Sequence, residues 1–286
     1  MAQSVFKNKS SIQLNGELLD LTKPVVMGIL NLTPDSFYDG GKHSHKEKAI
    51  AKVEQMINDG ATFIDIGAIS SRPGAKLPNE DEELNRLIPV VALIKKYFCD
   101  AKLSIDTFRA NVVKELFDRF GAFLVNDISA GNFDSEMFRT VSDLGIPYCM
   151  MHMQGKPENM QKNPVYKNPV QDIIKYFAEK IEKLKILGVK DIIIDPGFGF
   201  GKTIDHNFEL LAKLDSFKIF ELPVMVGISR KSMIYNLLGT SPARALNGSS
   251  VLHGIALERG ANILRVHDIR EAKESIRLIE KLNNFV

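Results

Sequence analysis

The chain has 286 residues, of which 44% are hydrophobic and 25% are charged, as expected for a globular protein with a substantial core. The formal net charge is +2 and the basic residues are scattered, which argues against a nucleic-acid-binding surface. No apolar run approaches the roughly 20 residues that a membrane span requires, and the first residues do not resemble a signal peptide. Cys99 and Cys149 are too few for a disulfide framework or a zinc site. We therefore expect a cytoplasmic protein.

A β-hairpin is predicted near the start of the chain. Apolar and polar residues alternate from Ile12 to Leu18 around the dipeptide Asn15-Gly16, which favours a two-residue turn. We expect residues 1–22 to form this hairpin extension and to cover the bottom of one larger domain, residues 23–286.

A repeated strand-then-helix rhythm fills the rest of the chain. Eight such units in series predict a (β/α)8 TIM barrel, an α/β fold. The alternative, an open doubly wound sheet, would need fewer strands or a break in the rhythm. Glycines at the ends of several helices fit this interpretation, since glycine is the usual C-cap residue. The predicted strands are residues 25–30, 62–66, 102–105, 123–125, 146–150, 192–194, 223–226 and 261–264.

Polar residues follow almost every predicted strand, at the face where barrel enzymes carry their active sites. Any one of them could instead cap the next helix or be a satisfied core group. It is much less expected that all of them lie on one face by accident, so the sequence predicts a functional site at that face. The residues are Asn31, Asp65, Ser71, Arg72, Asp106, Asn126, Asp127, His152, Asp195, Ser229, Arg230, Lys231, Arg265 and His267.

The clearest of these strand ends is Asp195, which follows the apolar run 192–194 and precedes Pro196. Glycines at 197, 199 and 201 continue the chain. The spacing differs from a phosphate-binding P-loop, because Pro196 occupies the position of its first glycine, and it differs from the G-x-G-x-x-G of dinucleotide folds. The glycines would instead let the backbone lie close to a flat ligand.

The strand-end residues divide by chemistry into two sets. Carboxylates, an amide and an ammonium at Asp106, Asn126, Asp195 and Lys231 suit a flat heterocycle rich in N–H groups. A second set, Asn31, Arg265 and His267, suits a phosphate or diphosphate with a metal ion. Phe200, within the glycine loop, could pack on a planar ligand.

Taken together, these motifs resemble the dihydropteroate synthase family, from about residue 24 to the C-terminus. The combination is very specific, although Asp-Pro-Gly-Phe-Gly alone would not be. The motifs are residues 27–41, with Asn31-Leu-Thr-Pro-Asp35-Ser-Phe37; residues 65–75, with Ser71-Arg72-Pro-Gly; Asp106-Thr; Asn126-Asp127-Ile; Met151-His-Met-Gln-Gly155; Asp195-Pro-Gly-Phe-Gly-Phe-Gly-Lys202; Ser229-Arg-Lys231-Ser; and Arg265-Val-His267-Asp.

The resemblance implies a barrel transferase of folate biosynthesis. The family is usually homodimeric and is the target of sulfonamides. Its members join 6-hydroxymethyl-7,8-dihydropterin diphosphate to p-aminobenzoate and release diphosphate, with Mg²⁺ bound to the diphosphate. The partners of this chain would then be small molecules and a second copy of itself.

The resemblance also implies roles for individual residues. Asn31 would contact Mg²⁺, and Asp35, Lys231, Arg265 and His267 would take part in the reaction. The residues implied in substrate binding are, for the pterin, Asp106, Asn126, Met151, Asp195 and Lys231; for the diphosphate, Ser71, Arg265 and His267; and for the aminobenzoate pocket, Arg72, Phe200 and Ser229.

One loop departs from the family pattern. Where the family often has Gly-Glu-Ser-Thr-Arg-Pro, this chain has Ala68-Ile69-Ser-Ser71-Arg72-Pro, so that Ile69 replaces a carboxylate. Three alternative functions remain open at this level: a pterin-binding methyltransferase domain that works with a corrinoid partner, a non-catalytic member of the family, and a Schiff-base aldolase that uses Lys231. The Thr-Pro-Asp-Ser-Phe, Ser-Arg-Lys and Arg-Val-His motifs favour the synthase over the methyltransferase.

Overall fold

Ten short strands run through the part of the chain that the computed structural model describes, residues 11–32, 42–69, 77–155, 160, 161 and 163–285. The strands of the large sheet are largely buried on both faces, as expected for parallel strands under a layer of helices. In chain order the strands are β1 Ser11–Leu14, β2 Glu17–Asp20, β3 Val25–Asn31, β4 Phe63–Gly67, β5 Lys102–Asp106, β6 Leu124–Asp127, β7 Tyr148–Met151, β8 Ile192–Asp195, β9 Met225–Val226 and β10 Ile263–Val266.

Helices follow the strands and cover the outside of the sheet. Helix α2 begins with a capping box in which the Asn79 side chain accepts from the Glu82 N–H and Glu82 accepts from the Asn79 N–H. The helices are α1 Lys42–Asn58, α2 Glu80–Tyr97, α3 Ala110–Phe120, α4 Met137–Leu144, α5 Pro169–Ile186, α6 Ile204–Ala212, α7 Ser232–Leu237, α8 Leu246–Glu258 and α9 Ile269–Asn283.

The large sheet is a closed parallel barrel. Its strands are hydrogen bonded in the order β8-β7-β6-β5-β4-β3-β10-β9, and a parallel bridge between Ile194 and Val224 joins the two ends. The predicted (β/α)8 fold is therefore confirmed. The carboxyl ends of all eight strands meet at one face.

Two strands are shorter than predicted. The fifth barrel strand, β7, begins at Tyr148 because Pro147 has no N–H to donate to the ladder. The seventh, β9, pairs only at Met225 and Val226. Just before it, the Val224 N–H donates to the side-chain oxygen of Asn262 at 2.9 Å.

The predicted hairpin is present and closes the bottom of the barrel. Asn15 and Gly16 both have positive φ, 52° and 81°, which a type I′ turn requires. Ile12, Leu14 and Leu21 are buried together with inward-facing residues of the barrel floor. The hairpin therefore covers the end of the barrel opposite the carboxyl-terminal face of the strands.

Among the described residues, the helices are all too short or too polar to span a bilayer.

Candidate active site

The glycine loop after β8 is built around Asp195. One oxygen of this buried carboxylate, Oδ1, accepts from the Gly197 N–H at 2.8 Å. Burial raises the pKa of Asp195, and the ammonium of Lys231 opposes that shift. Gly197 has φ of 73°, and a Cβ there would lie 1.9 Å from the carbonyl oxygen of His152. Only glycine can therefore place the chain this close to β7.

Lys202 closes this loop from beneath. Its side chain is only 3% exposed, and its ammonium donates to the carbonyl oxygens of Gly197 at 2.8 Å and Phe200 at 3.1 Å. The same ammonium lies 3.1 Å from Nδ1 of His152. Burial lowers the pKa of Lys202 to about 7. Burial and the nearby Lys202 charge together lower the pKa of His152 to about 2. The neutral imidazole accepts through Nδ1, so Lys202 is a structural clamp rather than a phosphate contact.

A second network lies across the barrel, around Asp65. Its fully buried carboxylate accepts from Ser104 Oγ at 2.6 Å, from Asn126 Nδ2 at 3.2 Å and from Arg265 Nε at 2.7 Å. The same guanidinium donates through Nη2 to Asp106 at 2.7 Å. Arg265 is thus held between two carboxylates.

This network sets the charge state of the groups that face the site. Burial raises the pKa of Asp106 to about 7, a shift that Arg265 opposes and Asp65 reinforces. Burial acts to lower the pKa of Arg265, but Asp65 and Asp106 outweigh it and raise the value. Asp106 is therefore a carboxyl whose pKa burial raises and the adjacent guanidinium of Arg265 holds down.

The loop after β9 brings Lys231 and Ser229 to the same face. Arg230 anchors this loop from outside, because its guanidinium pairs with both oxygens of Asp268 at 2.7 and 2.9 Å. Arg230 itself has φ of 53°, a strained value for a non-glycine residue. The Ser229 hydroxyl accepts from the His267 N–H at 3.3 Å, which ties the loop to the end of β10.

Two charged groups lie close to Gly227, beside the aliphatic Cβ of Arg265. A Cβ at this position would lie 3.7 Å from Lys231 Nζ, 4.0 Å from Asp195 Oδ2 and 3.9 Å from Arg265 Cβ. Lys231 Nζ also lies 4.7 Å from the centre of the Phe200 ring and donates to the Phe198 carbonyl. Burial lowers the pKa of Lys231 to about 8 against the attraction of Asp195. The Lys231 ammonium therefore lies between Asp195, the Phe198 carbonyl and the Phe200 ring.

An apolar cluster borders these charges. It includes Met151 at the end of β7, with Phe200 and Ile69 packed against it. The buried members are Phe108, Ile128, Met151, Met153 and Met160, and the partly buried ones are Ile69, Leu77, Phe133 and Phe200. A flat ligand could lie on this cluster while the carboxylates bind its polar edge. Ile69, which departs from the family pattern, is part of that cluster.

Most of the predicted site residues lie at this one face. Asp35, Ser71 and Arg72 lie outside the described residues. The structure differs from the two separate sets that the sequence suggested, because Arg265 and Asp106 are in direct contact. Asp65 and Lys202 were not assigned roles from the sequence, and only the placement of Asp65 just before a strand end pointed to it. The predicted site residues placed at this face are Asn31, Asp106, Asn126, Met151, Asp195, Phe200, Ser229, Lys231, Arg265 and His267.

Asn31 is the residue that the family resemblance implies as the Mg²⁺ contact. Asn31 ends β3, opposite Gly67, which is itself opposite Asp106. Among the described residues no three His, Cys, Asp or Glu side chains are grouped as a metal cage. A lone amide oxygen fits Mg²⁺ that keeps water ligands and is bound mainly by substrate phosphates, rather than an ion held by the protein alone.

Comparison with known proteins identifies the family. The model of the family described as pterin binding enzyme matches residues 27–267. Dihydropteroate synthase of Escherichia coli K12 is 44% identical over 267 residues, which cover 93% of this chain and 94% of the relative. The chain belongs to the dihydropteroate synthase family.

Solved structures of the dihydropteroate synthase family have the same fold. The Yersinia pestis enzyme in complex with a sulfonamide drug has a TM-score of 0.89 and 43% identity, covering 96% of this chain and 99% of its own. The Xanthomonas albilineans enzyme with 4-aminobenzoic acid has a TM-score of 0.88 and 36% identity, covering 96% and 98%. The family consists of transferases that condense a pterin with p-aminobenzoate in folate synthesis, so the transferase expected from the sequence is confirmed.

Proposed function

We propose that the protein joins 6-hydroxymethyl-7,8-dihydropterin diphosphate to p-aminobenzoate and releases diphosphate. The observation that best supports this proposal is that the Asp195 carboxylate and the Lys231 ammonium lie together beside Gly227, next to the apolar cluster that contains Met151. The charge of the Arg265 guanidinium acts on both groups. Such a site offers anionic acceptors for the N–H edge of a pterin and cations for a departing diphosphate.

Pterin recognition would use the buried carboxylates. Asp195 has one oxygen committed to Gly197, and its other oxygen lies toward Gly227. A carboxylate facing a guanidine-like edge makes paired, charge-assisted hydrogen bonds. Asn126 donates its amide to Asp65, which leaves its oxygen to accept from the ligand. Met151 and Phe200 would contact the faces of the ring.

Departure of the diphosphate would depend on cations and not on a strong base. The methylene C–O bond breaks and its electron pair leaves on the diphosphate, which Arg265, His267 and Ser71 would bind. Bound to that diphosphate, Mg²⁺ would neutralise its developing charge, with Asn31 as the protein contact. A pterin cation remains, and Asp35 would stabilise it.

The second step would form the new C–N bond. The amine of p-aminobenzoate donates its lone pair to the methylene carbon and then loses a proton to solvent. Arg72, Phe200 and Ser229 would line the pocket of the aminobenzoate. Lys231 would hold the pterin while its cation–π contact keeps Phe200 in place.

The test is formation of dihydropteroate by the purified protein from both substrates with Mg²⁺. We expect product and diphosphate in equal amounts, and no product when Mg²⁺ is chelated. Binding of the pterin diphosphate without product from any arylamine would refute the proposal.

We also propose that the protein acts in the cytoplasm as a homodimer. Helices α8 and α9 lie side by side, since a Cβ at Gly254 would lie 3.9 Å from Ile279. Their outer faces expose apolar residues at helical spacing, Val251 with Ile255 and Leu278 with Leu282. A second copy of the chain would cover this face.

A further inference from the structure

A single buried carboxylate, that of Asp65, binds two ligand-facing groups on one side of the barrel, Asn126 and Arg265. Asp65 accepts from Ser104 on β5, Asn126 on β6 and Arg265 on β10, at 2.6, 3.2 and 2.7 Å. It is 0% exposed, whereas the side chains of Asp106 and Arg265 are 18% and 19% exposed. Asp65 therefore lies below the site and its partners face the ligand.

The two carboxylate oxygens of Asp65 accept hydrogen bonds from different donors. Oδ1 accepts from Ser104, and Oδ2 accepts from both Asn126 and Arg265. A buried carboxylate is costly unless donors surround it, and here three donors from three strands do so. Ser104, the register partner of Asp65 on the neighbouring strand, satisfies only Oδ1, the oxygen that neither Asn126 nor Arg265 contacts.

The planar guanidinium of Arg265 makes the direction of its terminal nitrogens depend on Asp65. A guanidinium is planar, so a bond at Nε fixes the direction of both terminal nitrogens. With Nε on Asp65, the terminal nitrogen Nη2 of Arg265 reaches Asp106 at 2.7 Å. The Asn126 amide bond to Asp65 likewise turns its oxygen away from the carboxylate.

We infer that Asp65 is a positioning residue for the reaction: it directs Arg265 and Asn126 toward the pterin diphosphate without touching the substrate. This inference rests on the proposed function. It assigns a role to a residue below the site, which acts chiefly through the direction of the Arg265 guanidinium.

Asp65→Asn is the direct test, because asparagine keeps the shape and can still bond to Ser104. We expect kcat/KM for the pterin diphosphate to fall by about 10- to 100-fold, the range found when a residue that orients a ligand-binding group is removed. The loss should appear in KM for the pterin diphosphate, while KM for p-aminobenzoate changes by less than about threefold. Ser104→Ala is the matched control: it keeps the Asp65 charge and should cost about threefold or less.

The pH dependence of pterin affinity separates positioning from a merely structural role. Arg265, Asp65, Glu83 and Asp127 all act on Asp106. In Asp65→Asn both the repulsion from Asp65 and the anchoring of Arg265 beside Asp106 change, so the acid limb of pterin affinity should shift. In Ser104→Ala the limb should stay in place.

Wild-type kcat/KM in Asp65→Asn, or equal losses for both substrates with an unmoved acid limb, would overturn the inference. If Asp65→Asn does not fold, the change is introduced into Arg265→Gln. The double variant should bind the pterin less than about threefold more weakly than Arg265→Gln alone. A large further loss would contradict the inference that Asp65 acts through Arg265. Absence of product from the wild type would refute the proposed function alone, because calorimetric pterin affinities still test Asp65.

Discussion

At the scale of single residues, Asp195 combines two interactions in one carboxylate. One oxygen binds the Gly197 N–H and so shapes the loop, and the other faces the space beside Lys231. The first interaction is what a structural cap would need. The second has no structural purpose, because it points toward the site and not into the fold.

Asp195→Asn should separate these two roles. Asparagine can still accept from Gly197, but it cannot offer a charged acceptor to the pterin. Since a hydrogen bond to a charged group contributes about 1.5 to 3 kcal/mol, we expect pterin affinity to fall by roughly 10- to 100-fold. Calorimetric titration with the pterin measures this, with the exposed Asp205→Asn as control. Unchanged affinity would return Asp195 to the role of a cap.

At the scale of elements, the glycine loop is held by a buried lysine. Lys202 makes its hydrogen bonds to carbonyls of the loop and to His152, so it joins β7, β8 and the start of α6. Its pKa is lowered to about 7 from 10.5 because charging it in the interior is unfavourable. The unfolded chain therefore binds more protons than the folded one between about pH 7 and 10.

Folding stability should consequently rise with pH in that window through Lys202, and Lys202→Met should remove this rise. Each pKa unit corresponds to about 1.4 kcal/mol, so the effect is a few kcal/mol between pH 7 and 10. Urea unfolding at several pH values, followed by circular dichroism, measures the slope. The control is Lys213→Met, because about half of that side chain, 53%, is exposed. Parallel curves for wild type and Lys202→Met would show that the clamp does not titrate in this range.

Local sequence patterns predicted the strands and their polar end residues better than the contacts between side chains of distant strands. The eight strands and the polar residue after each one follow from hydrophobicity and turn residues, which act over a few positions. Asp65 and Arg265 are 200 residues apart, and only the barrel register brings them to 2.7 Å. Lys202 follows three spaced glycines, a pattern that predicts a loop close to a flat ligand and does not indicate a buried ammonium. Its burial depends on the neighbouring strand, which no local pattern encodes.

At the scale of the whole molecule, the exposed apolar face of α8 and α9 predicts self-association. We expect Ile255→Glu combined with Leu278→Glu to convert a dimer into a monomer, because two carboxylates on each copy would be buried against apolar surface. Sedimentation velocity measures the change. Ile186→Glu, at an exposed site on α5, is the control and should remain dimeric. A monomeric wild type, or a dimeric double variant, would contradict the prediction.

The hairpin and the first barrel strand depend on the last part of the chain. Strand β10 pairs with β3 along its whole length, and the Asn262 amide donates to the Leu21 carbonyl, 241 residues earlier in the chain. At a usual synthesis rate of about 5–20 residues per second, the ribosome needs roughly 10 to 50 s to make that interval. During this time one edge of β3 is unpaired, and the apolar face of the hairpin cannot pack against a complete barrel floor. The nascent chain is thus the form of this protein most exposed to aggregation, and chaperone binding at its N-terminal end would shield it until the barrel closes.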